Sequence, residues 1–428
     1  MQGSVTATHG QSYRHAHIGR MKLKHDIIIV GGGLNGCSQA LALAHSGFEV
    51  ALVESLPART RAAHDFDGRS YALSLTSKNL LQAIYLWDQV YAQSQPILEI
   101  KATDGRPGTG PSPFVLEFDH AEIEEGPMGY MIEDRFLRDV LLDAIDADDR
   151  ISTFNGATIV AQDTQGPIAT ATLDSGEVLT AQLIIGCDGR KSATATRAGV
   201  KRSGWDYGQT ALVCAIAHER PHHGVAHQFF MPAGPLAILP LPGNRCSIVW
   251  TEETKNAARI QSLSDDGYLE ELRPRFGDFL GEISLAGTRF SYPLNLTLAD
   301  RFCADRVALV GDAAHGVHPL AGQGLNAGLK DIAALTEILT LAMRRGEDFG
   351  RIDVLERYQQ WRRFDVITLA AVTDTFNKLF SNDNSLLRIG RDLGMGFVNA
   401  LPGVRRSLIR EAAGLTGDLP QLLQGRPI

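Results

Sequence analysis

Long apolar runs, clustered cysteines and a surplus of positive charge are all missing from this 428-residue chain. No uninterrupted apolar segment approaches the roughly 20 residues that cross a bilayer, so a spanning helix is not expected. The five cysteines, Cys37, Cys187, Cys214, Cys246 and Cys303, stand far apart, without CxxC or metal-finger spacing. An odd, scattered set fits buried thiols in a reducing cytoplasm. Lys and Arg number 41 against 49 Asp and Glu, a formal net charge of -8. With no basic stripe to neutralise phosphates, a nucleic-acid partner is not expected either. The first 20 residues, including His9, His15 and His17, lack the apolar centre of a signal peptide. They read as a disordered extension, with Met21 the natural start of folded structure.

What is present is an ordinary globular balance, 44% hydrophobic and 21% charged, long enough for two or three structural units. Ile27-Ile28-Ile29-Val30 is a continuous apolar run, the habit of a strand buried on both faces of a parallel sheet. Gly31-Gly32-Gly33-Leu34-Asn35-Gly36 follows it, then an Ala- and Leu-rich helix from about Leu34 to His45, closed by Gly47. A second strand ends at Glu54. The spacing predicts a further helix over about Ser77–Leu86, a Gly/Pro loop over Gly105–Pro113, and a helix that Asp134 caps. Alternating strands turn at Gln165-Gly166-Pro167 and Ser175-Gly176 and lead into Leu183-Ile184-Ile185. The stretch from 205 to about 290 is β-rich, with Leu236–Leu239 and Cys246–Trp250 flanking a Pro-Gly-Asn hairpin turn. Val307–Val310 is another buried strand, and a helix-rich remainder follows it.

Gly31, Gly33 and Gly36 fit G-x-G-x-x-G between a strand and a helix. That spacing allows a tight turn, close approach of backbone to a pyrophosphate, and close helix–strand packing. The open N–H groups of the helix N-terminus favour phosphate there, and Glu54 stands where a carboxylate accepts from ribose hydroxyls. The pattern serves NAD and FAD alike. Two later segments end predicted strands with an Asp beside glycine: Cys187-Asp188-Gly189-Arg190-Lys191-Ser192, and the run beginning Gly311-Asp312-Ala313-Ala314-His315.

That second run continues Gly316-Val317-His318-Pro319-Leu320-Ala321-Gly322-Gln323-Gly324-Leu325-Asn326-Ala327-Gly328-Leu329-Lys330-Asp331. With the first glycine motif and the central Asp-Gly motif, it resembles the flavoprotein hydroxylases typified by para-hydroxybenzoate hydroxylase. Within them it is most similar to the ubiquinone-biosynthesis hydroxylases, over roughly residues 25–410. The resemblance implies an α/β fold: a Rossmann-like FAD-binding domain interleaved with a β-rich substrate domain, plus a helical C-terminal region. It assigns 21–95, 127–204 and 288–345 to the FAD domain, 96–126 and 205–287 to the substrate domain, 346–428 to the helical region, and leaves 1–20 as an extension. Gly31, Gly33, Gly36 and Glu54 would hold the ADP half of FAD. Arg69, in Asp67-Gly68-Arg69-Ser70, and Arg135 match cofactor-contacting arginines. Asp188 and Gly189 match a motif for FAD and NAD(P)H, and Gly311 and Asp312 the ribityl or pyrophosphate site. Pro319, Gly322, Gly324 and Asn326 would line the flavin ring. His318, with Pro319, is assigned to the reacting side and His315 to structure. No carboxylate joins these histidines at ligand spacing, so no metal is expected.

The activity implied is ring hydroxylation of a prenylated phenol in ubiquinone biosynthesis, using NADH or NADPH and O2 through a flavin C4a-hydroperoxide. Absence of a second G-x-G-x-x-G fits transient NAD(P)H binding at the surface. Three other readings stay open: a related monooxygenase acting on another aromatic or polyketide ring, a flavin oxidase or reductase without oxygen transfer, and a non-catalytic flavin-binding subunit of a quinone-biosynthesis complex. Leu386, Leu387, Ile389, Leu393, Met395, Phe397, Val398 and Leu401, mixed with arginines, suggest an amphipathic surface. It would serve homo-oligomer packing, a complex, or peripheral contact of a cytoplasmic enzyme with the inner membrane.

Overall fold

The computed structural model describes residues 23–57, 66–106, 108, 110–316, 323–380 and 401–428. The extension and most of the Leu386–Leu401 stretch lie outside them. A six-stranded sheet organises one half of the molecule, in the order β19 (Cys303–Ala304), β20 (Val307–Leu309), β12 (Leu183–Gly186), β1 (Ile27–Val30), β2 (Val50–Glu54) and β8 (Ile151–Asn155). All neighbours run parallel except β19 and β20. The expected double burial of β1 is observed. Ile27 and Ile29 face one apolar cluster with α1 (Leu34–His45), while Ile28 packs on β9 (Ile159–Asp163), β10 (Ala169–Leu173) and β11 (Val178–Ala181). Those three strands form the antiparallel sheet expected from the turns at 165–167 and 175–176.

The other half is a nine-stranded sheet built on the long strand β13 (Arg202–His218). It pairs with β16 (Arg245–Glu253), β17 (Ile283–Leu285) and β18 (Phe290–Ala299), and β15 (Gly234–Leu241) and β14 (Val225–Met231) follow beyond β16. The predicted hairpin is β15–β16, with Leu236 opposite Trp250. An earlier segment, β5 (Glu99–Arg106) and β6 (Gly110–Asp119), joins the same sheet beside β14. The Gly/Pro loop expected over Gly105–Pro113 is therefore mostly strand. β6 lies at the end of the sheet, where a proline removes no ladder hydrogen bond. Two helices unforeseen in this β-rich stretch, α6 (Thr254–Gln261) and α7 (Asp265–Phe276), cover one face of it.

A three-stranded sheet of β3 (Ser70–Leu73), β7 (Gly129–Glu133) and β4 (Gln95–Ile97) lies alongside. The helix expected over 77–86 begins earlier, as α2 (Leu75–Ala83) capped by Ser74, whose Oγ accepts from Ser77 N at 3.2 Å; α3 (Trp87–Tyr91) follows. Asp134 is not a cap. It is the first residue of α4 (Asp134–Asp146), because β7 runs straight into the helix, and its carboxylate pairs with Arg138 one turn on at 2.9 Å. After β12 comes the short α5 (Ala193–Arg197). The C-terminal part carries α8 (Gln323–Arg344), α9 (Ile352–Phe380) and α10 (Pro402–Ala412). Among the described residues no helix is long and apolar enough to cross a membrane.

Candidate functional site

The C-terminal ends of β1, β12 and β20 bring three loops together, the usual crevice position in an open α/β sheet. In the first loop each glycine has a different reason to be glycine. Gly31 has φ +100°, and a Cβ there would lie 2.6 Å from the Cys187 carbonyl oxygen. At Gly36 a Cβ would lie 1.8 Å from the Gly31 carbonyl oxygen, so the helix could not pack on its own turn. At Gly33 a Cβ would meet nothing within 4 Å. Among the described residues nothing fills the space in front of Gly33, and the N-terminus of α1 has neither a side-chain cap nor an acidic residue in its first turn. Its unpaired N–H groups are left to an anion. Glu54, buried at the end of β2, accepts from Gly32 N at 2.6 Å and Leu56 N at 2.8 Å. It fixes the turn and retains acceptor capacity.

The second loop holds Asp188 and Gly189. The Asp188 carboxylate binds the start of α5, accepting from Thr194 N at 2.9 Å, Thr194 Oγ1 at 2.9 Å and Ser192 Oγ at 2.5 Å. It shapes the loop, whose left-handed residue is Gly189 at φ +73°. From the same loop Arg190 reaches across to Asp312, 3.3 Å away, and to Asn295 Oδ1 at 3.0 Å.

The third loop is a 3-10 turn, Gly311–Ala313, leading into β21 (His315–Gly316), which pairs with β18. Gly311 has φ +61°, and a Cβ on it would strike Asn35 Nδ2 at 2.3 Å; a Cβ on Gly328 would strike the same atom at 2.4 Å. Asn35, inside the first glycine motif, is thus wedged between the two. Its Oδ1 is buried with no hydrogen-bond partner among the described residues. Asp312 stays half-exposed beside Arg190. His315 is 1% exposed and its Nε2 meets Asp331 Oδ2 at 2.5 Å. Asp331 is desolvated by complete burial, yet the charges of His315 and Arg362 hold its carboxyl below the usual range.

Arg69 and Arg135 lie in a cluster of paired charges. Arg69 bonds Asp67 through Nε at 2.8 Å and lies 3.4 Å from Asp134. Arg135 and Arg245 share the fully buried Glu133, each at 2.8 Å, and both guanidinium groups lie over Phe66. Since Arg245 belongs to β16 and Arg135 to α4, this cluster ties the nine-stranded sheet to the nucleotide half. Asn326 is engaged rather than open. Its Oδ1 accepts from Ser74 N at 3.0 Å and Ser77 Oγ at 2.7 Å, and its Nδ2 donates to Ala72 O at 2.8 Å. It fastens α8 to the segment that follows Arg69. A Cβ at Gly324 would meet none of the described residues within 4 Å. His318, Pro319 and Gly322 lie outside the described residues.

The nine-stranded sheet offers a second wall. Leu212, Cys214 and Ile216 of β13 face α6 and α7. The alternate residues point the other way, and Val213, Val249 and Ala237 stand side by side across β13, β16 and β15. Ala215, two residues on, packs in the same apolar cluster as the nucleotide half. This face is small and apolar, suited to an apolar molecule lying between the halves. Reading the sequence missed Asn35, Arg190, Asp331 and Arg362. Asn35, Arg190 and Asp331 lie inside recognised motifs, but Arg362 carries no local signal.

Comparison with known proteins agrees with this geometry. Residues 24–369 match the family model for an FAD binding domain. The chain is 42% identical over 94% of its length to the ubiquinone hydroxylase UbiL of Rhodospirillum rubrum, covering 93% of that protein. It is 33% identical over 91% of its length to the 3-demethoxyubiquinol 3-hydroxylase of Escherichia coli, covering 98% of it. Among solved structures, p-nitrophenol 4-monooxygenase PnpA of Pseudomonas putida superposes with a TM-score of 0.76 at 19% identity, over 93% of this chain and 99% of that one. At that identity the likeness speaks to fold alone.

Proposed function

The chain belongs to the FAD-binding-domain family, among its ubiquinone-biosynthesis hydroxylases, and from that membership we propose that it hydroxylates the ring of a prenylated phenol on the way to ubiquinone, using NAD(P)H and O2. What carries the reading is the likeness to the ubiquinone hydroxylases along nearly the whole chain, which takes in both halves of the molecule. The residues fit FAD: an uncapped helix N-terminus before an open glycine, a carboxylate at the end of β2, and the orphaned Asn35 oxygen beside the Gly311 turn. When bound, FAD supplies hydride acceptance from NAD(P)H and transfer of one oxygen atom from O2 to the substrate.

The chain's own residues would bind, orient and exclude water. Gly31, Gly33 and the α1 N-terminus would hold the pyrophosphate, Glu54 the ribose, and Asp312, steadied by Arg190, the ribityl hydroxyls. Arg69, Arg135 and the loop of Asp188 and Gly189 would border the site, with Gly324 and Asn326 continuing its floor. His318 and Pro319 are proposed to face the reacting ring, with Gly322 beside the flavin. Val213, Ala237 and Val249 would give the prenylated ring an apolar wall. A hydrophobic substrate favours peripheral contact with a membrane. Exposed Phe364, Ile367 and Val372 on α9 and Val404 and Leu408 on α10, near Arg363 and Arg406, support such contact.

The test is mass spectrometry of lipid extracts from cells lacking the gene. A prenylated phenol one ring oxygen short should accumulate, and wild type should clear it while Asp312→Ala does not. Normal quinone with no such intermediate would remove the quinone assignment.

A further inference from the structure

The Gly311–Ala313 turn is braced by a carboxylate that no solvent reaches. Asp331 is 0% exposed and collects donors from three elements. Its Oδ2 accepts the Gly311 amide N–H at 3.0 Å and faces His315 Nε2, and its Oδ1 accepts from Arg362 Nε at 2.8 Å. Arg362 lies on α9, is itself buried, and holds Asp365 through Nη1 at 2.7 Å. One turn earlier on α9, the Tyr358 hydroxyl donates to Leu309 O at 2.8 Å, at the end of β20. Helix α9 therefore grips both the strand that delivers the turn and, through Asp331, the turn itself. His315 extends the same hub to the nine-stranded sheet, since β21 pairs with β18.

This arrangement is more than a stabilising ion pair. Buried ion pairs add little net stability against an apolar replacement, whereas removing one partner leaves an uncompensated charge. What a hub of this kind does well is fix one geometry. Among the described residues the backbone group it holds is the Gly311 amide, next to Asp312, and Asp331 and Arg362 are both buried. Among the described residues no hydrogen bond to this hub is seen from the amino-terminal glycine turn, which Glu54 braces and which meets the Gly311 turn through the Asn35 amide.

We propose that Asp331 and Arg362 are positioning residues for the flavin half of the cofactor: they fix the Gly311–Ala313 turn, and with it the place where Asp312 is presented. Placement of α9 thereby governs how tightly the flavin half is held, while the ADP half is held independently. The inference rests on the FAD-site reading above, and its signature is a split between two affinities.

The experiment titrates full-length apoprotein, freed of flavin, with FAD and separately with ADP, for wild type, Arg362→Met, Arg362→Lys and Asp331→Asn. Arg362→Met should weaken FAD by about tenfold or more, the scale of one charge-assisted hydrogen bond, and leave ADP within about twofold of wild type. Arg362→Lys, which keeps the charge without the planar fork, should recover part of the FAD loss. The visible circular dichroism of bound flavin should change in Arg362→Met and return toward wild type in Arg362→Lys. FAD and ADP weakening together would mean general damage and overturn the proposal. So would unchanged FAD affinity in both Arg362→Met and Asp331→Asn. If Arg362→Met does not fold, Arg362→Lys and Asp331→Asn carry the same comparison. Wild type binding ADP but not FAD would sink the FAD-site reading and this inference with it, an outcome distinct from failure of the split.

Discussion

The glycine turns at Gly31 and Gly311 end strands β1 and β20 of one sheet, with β12 between them, yet they are built on opposite plans. The turn at Gly31–Gly36 is a local device. Its tightest contact lies between Gly36 and Gly31, and its carboxylate brace, Glu54, comes from the next strand of the same unit. The turn at Gly311–Ala313 is a tertiary device. Asn35 fills the space against it, Asp331 holds its amide, and Arg362 holds Asp331. The first can form once strand, helix and strand are in place. The second requires segments spread over most of the chain to have assembled, so damage to it should register first in the cofactor.

The largest effect should come from breaking the local device. In Gly36→Ala the new methyl would lie 1.8 Å from the Gly31 carbonyl oxygen, a backbone atom with nowhere to go. Overpacking of this kind costs about 1–3 kcal/mol or more. Thermal melts of the apoprotein should show a marked drop, together with loss of FAD. Gly33→Ala sharpens the contrast, because among the described residues its methyl meets nothing within 4 Å. The apoprotein should melt within a few degrees of wild type, exchange of glycine for alanine at a cap position costing about 1 kcal/mol or less, while FAD binds about tenfold or more weaker. A Gly33→Ala protein that stays fully yellow would show that the pyrophosphate does not lie over that turn.

The tertiary device can be broken and repaired. Gly328→Ala would put a methyl 2.4 Å from Asn35 Nδ2 and should destabilise by about 1–3 kcal/mol. Adding Asn35→Ala removes the colliding amide, so the double variant should regain most of that loss in a denaturant melt, with a coupling energy of about 1 kcal/mol or more. If the two changes simply add, Asn35 is not the wedge.

This difference in construction also decides what could be read from the sequence. Strand, glycines, helix and Glu54 fall within a short window, so periodicity and spacing were enough for the β1–α1–β2 unit and for the bounds of α1. The buried strands at 183–185 and 307–309 were legible for the same reason, as continuous apolar runs. Asp312 and the Gly311 turn were legible through family resemblance, but their supports were not. Arg362 looks like any helix arginine until α9 packs against α8. Asn326, which the resemblance places along the flavin floor, also bonds through its amide to Ala72, Ser74 and Ser77, partners that no spacing rule connects to it. The failed cap at Asp134 has a similar origin. Its neighbours Arg69, Tyr71 and Arg138 draw the carboxylate away from the backbone, and tertiary pairing outweighs a local preference.

A smaller effect should follow from His315→Ala. The imidazole is buried against Asp331, and its Nδ1 has no hydrogen-bond partner among the described residues, so no onward proton path starts there. Removing it takes one donor from Asp331 while Arg362 remains. FAD affinity should fall a few-fold, on the scale of about 1 kcal/mol for one hydrogen bond, and the pH dependence of kcat should keep both limbs. Loss of one limb at normal FAD occupancy would make His315 catalytic and would place the tertiary turn inside the chemistry rather than beneath it.

The smallest effect should come from a group that belongs to neither turn. His227, on β14, has its ring centroid 4.6 Å from that of Phe279. Burial, with a lesser push from Lys101, brings its pKa down to about 4 from 6.5. Between those values the unfolded chain takes up a proton that the folded chain resists, so His227 lowers stability as pH falls from 6.5 toward 4. His227→Gln removes that liability. Because the residue keeps some exposure to solvent, the drop in melting temperature between pH 7.5 and pH 5 should shrink by only about 1–2 °C. FAD affinity should be the same as wild type at both pH values. If instead FAD affinity at pH 5 changes with His227, protonation on the nine-stranded sheet is reaching the cofactor, and the route already present is β18 to β21 to the Asp331 hub. The tertiary turn would then answer to the substrate sheet as well as to α9, while ADP affinity, set by the local turn, should still not move.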